Sequence, residues 1–203
     1  MGQSKTLNLR REPEQDRSRA GVAAILDAAA QLLDHHGIDH VTMTAIAQRA
    51  GLSKAAVYRY FPNKAAIVRG LAQRSFEEDA VRIAEFFERA EGEPAEVLVE
   101  GMREYLDEHR KQPHRVQLRA AIRADPELAQ LDVADSQRNA REIVEALRKR
   151  GSTIPSDVLR DRVFLFIELA DGVNRLGALV SEPVARGLRR EFLEAVAERF
   201  TDA

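Results

Sequence analysis

The chain has 203 residues, 44% hydrophobic and 32% charged, which excludes wholesale disorder and leaves room for one domain or two small ones around a packed core. It has no cysteine, which excludes thiol chemistry and disulfides, and with no apolar run near the roughly 18 residues of a membrane span and a polar start that is not a secretory signal, a cytoplasmic protein is expected. The net charge of −2 hides an asymmetry, because residues 1–75 hold eleven Lys/Arg against six Asp/Glu, a balance of +5 that leaves −7 on the rest.

A basic amino-terminal part suggests an anionic partner such as nucleic acid, and chance segregation of solvated charge accounts for it equally well. Residues 1–16 are polar and charged with no periodic stripe, and are expected to form a flexible arm. From there the periodicity is helical throughout. Val22, Ile25, Leu26, Ala29, Leu32 and Leu33 form one stripe that Gly37 ends. Alternating strands and hairpin dipeptides are missing, so the predicted class is all-α, with helices at 17–36, 43–50, 54–60, 64–90, 95–111, 114–124, 127–150, 157–180 and 184–200. Pro94, Pro113, Pro126, Pro155 and Pro183 mark the later joints, and Asp125 and Ser156 are expected caps.

Residues 41–64, VTMTAIAQRAGLSKAAVYRYFPNK, carry the most information. Thr42 is a helix cap flanked by the staple pair Val41 and Ile46, and the pattern recurs with Ser53 between Leu52 and Val57. Ala50-Gly51-Leu52 supplies a tight turn between the two short helices, so the segment is a predicted helix-turn-helix. Lys54, Ala55, Tyr58 and Arg59 share the face opposite Val57. Alanines admit a close approach to a groove floor, Lys54 has the reach for guanine acceptors, and Tyr58, Arg59 and Tyr60 have donors for phosphate oxygens. Phe61-Pro62 should stop the helix, Asn63 cap the next one, and Lys64 stand at its positive end, where a phosphate is favoured. Thr42 and Thr44 could hold phosphate in the same way. The bland alternative is a helical hairpin with a solvated basic face.

Over residues 17–70 this sequence resembles the tetracycline-repressor (TetR) family of bacterial transcriptional regulators, through the first helix ending at Gly37, the run from Thr42 to Gly51, and the run from Leu52 to Lys64. The resemblance implies a homodimer on a near-palindromic operator in double-stranded DNA, a helix-turn-helix domain at 17–63, and a dimerising, effector-binding domain at 64–203. Carried over by position, Thr42, Thr44, Lys54, Ala55, Ala56, Tyr58, Arg59, Tyr60 and Lys64 become operator contacts, with Ser53 taken alongside them. Arg17 and Arg19 would reach the backbone or the minor groove. With alanine at both 55 and 56, few polar groups remain to read bases.

In the acidic part, Val163, Phe164, Ile167, Leu169, Ala170, Val173 and Leu176 cover more than one side of a helix, and Phe192, Leu193, Val196 and Phe200 line the next. The resemblance makes these the helices of a four-helix dimer bundle, with Val163, Ile167, Ala170, Phe192, Val196 and Phe200 at the subunit interface; burial within one chain is the competing account. A small-molecule effector is expected among the middle helices, near Phe86, Phe87, Met102, Tyr105, Leu118, Ile122, Phe164 and Leu165, with His109 and Arg123 as polar anchors. Asp171 and Arg175, four apart, should form an intrahelical ion pair. Gly37 interrupts the pair His36 and His40, Pro113 interrupts His109 and His114, and no phosphate loop, dinucleotide fingerprint or serine elbow is present. No metal, cofactor or enzymatic activity is therefore expected. A DNA-binding regulator controlled by a partner protein or by abundance stays open, and a small helical enzyme or metal-binding protein stands further off.

Overall fold

Prolines in first turns and glycines at positive φ punctuate a chain that is otherwise helical. The structure, a computed structural model, describes residues 12–201, with the side chains of 12–17 and His36 outside that description. Among the described residues there are nine α-helices and no strand: α1 (Glu12–His36), α2 (Met43–Arg49), α3 (Lys54–Tyr60), α4 (Lys64–Arg89), α5 (Pro94–Arg110), α6 (His114–Ala124), α7 (Pro126–Lys149), α8 (Ser156–Gly177) and α9 (Glu182–Phe200), with a 3-10 turn at Ile38–His40. None of these helices is long and apolar enough to cross a membrane.

Most joints fall within two residues of expectation, and those of α1 and α8 differ more in position or in capping. α1 begins at Glu12, so residues 12–16 of the expected arm are helical, Pro13 standing in the first turn where its missing N–H costs nothing; residues 1–11 lie outside the described residues. Ser156 is the first residue of α8 and not its cap, and its hydroxyl accepts a hydrogen bond from Arg148 at 2.9 Å. α8 stops at Gly177, three residues early. Asp125 caps α7 as expected, its carboxylate accepting from the amides of Glu127 and Leu128.

The chain divides into two compact units, one ending at Leu71 and one starting at Ala72, a division that falls inside α4. In the first unit Ile25, Ala29, Leu33, Val41, Ile46, Val57 and Ile67 are fully shielded and form its core. In the second, α8 packs on α5, α7 and α9. Leu98, Leu106, Leu147, Leu159 and Val163 build the core, and the Phe166 ring lies 5.8 Å from that of Phe192 and 5.5 Å from that of Phe200.

The residues expected at the dimer interface lie in or against this core. Val163, Ala170, Phe192, Val196 and Phe200 are buried inside one chain, and Ile167 packs partly buried on the same core. The apolar side chains left at the surface of α8 are Val158, Leu165, Leu169 and Leu176, followed by Leu179, Val180 and Val184.

Candidate nucleic-acid interface and effector cavity

α2 and α3 are each fixed by their first residues. Thr42 accepts from the amide of Ala45 and Ser53 from that of Ala56, both at 3.1 Å, while Val41, Ile46 and Val57 are fully buried beneath them. Gly51 takes φ 66 in the turn, and the Leu52 amide donates back to the Ala47 carbonyl at 2.9 Å. Two seven-residue helices, too short to persist alone, are held rigid by caps and by the core behind them.

That arrangement leaves Lys54, Ala55, Tyr58 and Arg59 exposed on the outer face of α3, with Thr42, Thr44 and Ser53 exposed at the helix starts and Ala56 half-buried. The Lys54 Nζ lies 6.0 Å from the Tyr58 ring centroid, so the pair presents a cation beside a phenol. Arg19 is exposed on α1, and the side chain of Arg17 lies outside the described residues.

Two expected contacts are engaged elsewhere. Tyr60 is turned onto α1: a Cβ on Gly21 would fall 2.8 Å from its hydroxyl oxygen, so the ring occupies space that only glycine leaves open. Lys64 donates from Nζ to the Ile38 carbonyl at 2.5 Å, tying the start of α4 to the 3-10 turn. The cap of α4 is Asn63, accepting from the Ala66 amide at 2.9 Å.

In the second unit a cavity of about 90 Å³ opens among α4, α5, α6, α7 and α8. Its apolar wall includes Ile83, Phe86, Phe87, Leu98, Met102, Ile143, Ile167 and Ala170. Tyr105 and His109 line it as expected, together with Asp79, Arg82, Glu104, Glu108, Arg119, Ser136 and Asn139, which the sequence reading missed. The periodicity held a clue, since Asp79, Arg82, Ile83, Phe86 and Phe87 recur at three- and four-residue steps along one face of α4.

Arg123 and Phe164 are not in the cavity wall, and neither are Leu118, Ile122 and Leu165. Phe164 packs on the core, Leu118 and Ile122 are buried, and Leu165 is exposed. Arg123 pairs with Asp171, which also meets Arg119 Nε at 3.9 Å and accepts from the Tyr105 hydroxyl at 3.4 Å. The expected Asp171 to Arg175 pair therefore gives way to cross-helix partners, as a carboxylate turned inward needs cations from the helices it faces.

Behind the cavity lies a buried ionic cluster. Arg115 donates to Asp79 and Glu78 at 2.6 Å each, and Arg119 pairs with Asp132 and, at 3.5 Å, with Asp79. Burial is the main cause holding the His109 imidazole down at a pKa of about 4, so it is neutral at pH 7. Its Nδ1 lies 3.0 Å from the Tyr105 carbonyl and its Nε2 3.4 Å from Arg115, which assigns the proton to Nδ1. Burial first, and then the charge of Asp171, push the Tyr105 phenol up, so it remains a donor.

Comparison with known proteins places this geometry. The family model described as bacterial regulatory proteins, tetR family, matches residues 25–71, and that of the tetracyclin repressor-like C-terminal domain matches 92–187. A crystal structure of a TetR-family transcriptional regulator from Streptomyces coelicolor is 30% identical, with a TM-score of 0.66 over 92% of this chain and 100% of that one. An HTH-type transcriptional repressor of Mycobacterium tuberculosis is 28% identical over 145 residues, 67% of this chain and 72% of that protein. The nucleoid occlusion factor SlmA of Vibrio atlanticus is 29% identical over 140 residues, 68% of this chain and 57% of that protein. The chain spans only 23% to 57% of the length of the first curated relatives it matches. With both family models matched and the Streptomyces protein covered end to end, the chain belongs to the TetR family of transcriptional regulators.

Proposed function

We propose that the chain is a repressor that binds a near-palindromic operator in double-stranded DNA as a homodimer and is released when a small molecule enters the cavity of its second unit. The observation that carries this reading is the outer face of α3, where Lys54, Ala55, Tyr58 and Arg59 are exposed on a short helix that capping and a buried underside hold still. A helix so presented can enter a major groove, Ala55 letting its backbone approach the base edges and the two cations and the Tyr58 phenol meeting bases and phosphates. Arg19, Thr42 and Thr44 are proposed as backbone contacts, and Tyr60 and Lys64 serve the scaffold.

Dimerisation is proposed through the exposed apolar residues of α8, Leu165, Leu169 and Leu176 among them. Two recognition helices read successive major grooves only when held about 34–36 Å apart. An effector that binds better to a dimer with another spacing shifts the population away from DNA. The cavity, mostly apolar with a few converging polar groups, has the chemistry of such an effector site. On this reading the chain is a regulator rather than an enzyme, and it works in the cytoplasm, where its operator lies.

Selection of bound DNA from a random pool tests the proposal and should return a palindromic site. On that site, Lys54→Ala combined with Tyr58→Ala should weaken binding by about tenfold or more, as loss of a good base or phosphate contact does. Unchanged affinity in the double variant, with its helicity intact, would remove α3 from the interface.

A further inference from the structure

We propose that the cavity takes a small organic acid of short branched or single-ring skeleton, its carboxylate held by Arg82 and its hydrocarbon part lying against Phe86, Met102 and Ile143. This rests on the effector reading above and adds the ligand's chemistry.

The charges around the cavity differ in how far they are already engaged. Asp79 has Arg115 at 2.6 Å and Arg119 at 3.5 Å. Glu104 has Arg89 at hydrogen-bond distance, and Glu108 accepts from Lys111 at 3.2 Å and Gln112 at 2.9 Å. Arg119 is held by Asp132 as well as Asp79. Each acid of the wall thus has a donor of its own, so a cationic ligand would have to compete for it.

Arg82 is different. Its nearest carboxylate oxygens, on Glu78 and Glu108, stand at 3.8 and 3.9 Å, beyond hydrogen-bond reach. Its Nη1 is closed off from solvent and has no hydrogen-bond partner. An enclosed guanidinium N–H without an acceptor is costly, and a carboxylate supplies two oxygens in the geometry of the guanidinium fork. The neutral His109 and protonated Tyr105 face the same space and add no charge to oppose an anion.

Size narrows the skeleton. The cavity of about 90 Å³ is smaller than the roughly 150 Å³ that holds a benzene ring. The Phe86 ring is seated directly on Gly101, where an added Cβ would fall 2.9 Å from Cε1, so this ring sets the width. A branched acid of a few carbons enters with little adjustment, and a benzoate only if the Phe86 ring gives way.

Calorimetric titration of the full chain at pH 7 with 3-methylbutanoate and benzoate, each beside its uncharged amide and its amine analogue, tests the assignment. The acids should bind at least about tenfold more tightly than their amides and amines. Arg82→Gln should remove that advantage while leaving amide binding in place, and Arg82→Lys should restore part of it. Equal binding of amide and acid, tighter binding of the amine, undiminished acid binding in Arg82→Gln, or no acid binding at millimolar concentration would each overturn the proposal. Operator release is read separately. Acids that bind without releasing DNA leave the ligand class standing and sink the effector reading, whereas an uncharged apolar compound that releases DNA while no acid binds does the reverse.

Discussion

Arg115 shows what a buried charge demands of its surroundings. Only 2% exposed, it meets Asp79, Glu78 and Gln112 between 2.6 and 2.8 Å, so its charge and three of its donors are satisfied by named groups. Replacing it by methionine leaves Asp79 buried with only the longer Arg119 contact, and the expected loss is about 3–5 kcal/mol in urea unfolding at pH 7. Adding Asp79→Leu should recover part of that loss; a double variant as unstable as Arg115→Met alone would show that no charge had been stranded. Beside it, His109 contributes a pH dependence of known sign. Its folded pKa of about 4 lies below the unfolded value near 6.5, so the unfolded chain binds the extra proton between the two. Stability is therefore full above about pH 6.5 and falls as the pH drops towards 4, by up to about 3 kcal/mol. Asp79, Asp171 and Arg115 surround the ring, so the measurement is the difference between wild type and His109→Gln. If both curves ran parallel from pH 7 to 4, His109 would not be the group.

At the scale of elements, local chemistry was legible and partnership across helices was not. Thr42, Ser53, Asn63 and Asp125 announce helix starts because a cap acts on amides two or three residues away, and each forms that bond. The outer face of α3 was legible for the same reason, since Val57 alone fixes which side is inward. The packing of Tyr60 was not legible because its partner, Gly21, is on α1, far away in sequence. Asp79, Arg82 and Arg119 were missed because a charged residue on an amphipathic helix reads as solvated until the helices facing it are known. The Tyr60 to Gly21 contact gives a prediction at this scale. In Gly21→Ala the new methyl meets the phenol at 2.8 Å, so the Tyr60 ring must shift, and the end of α3 with it if the ring has no other place to go. A loss of about 1–3 kcal/mol on thermal unfolding is expected from overpacking. DNA affinity should fall too, although Gly21 touches no DNA, because α3 is displaced as a unit. Wild-type affinity in a destabilised Gly21→Ala chain would show that Tyr60 moves without carrying its helix.

For the whole molecule the proposed dimer turns on which face of α8 a second copy would meet. The side of α8 that its own core claims was not legible in the sequence, because α8 has apolar residues on both sides and one chain's pattern does not say which of them faces inward. The structure gives Val163 and Ala170 to the core and leaves Leu165 and Leu169 about half exposed, at 53% and 45%. Exposed leucines can be changed without opening a cavity, so Leu165→Glu with Leu169→Glu should preserve helicity and melting behaviour of the single chain while placing charges against charges in the proposed dimer. Sedimentation should then report a monomer. Operator binding should fall by about 10²–10⁴-fold, since the second recognition helix no longer binds as part of the same molecule at high effective concentration. Phe200→Ala is the matching core variant: it should cost about 3–5 kcal/mol in stability yet leave the dimer assembled, because Phe200 is 2% exposed within its own chain. If the glutamate pair stayed dimeric, the exposed leucines would not be the interface; if Phe200→Ala dissociated while still folded, the side of α8 and α9 now assigned to the core would have to face the partner after all.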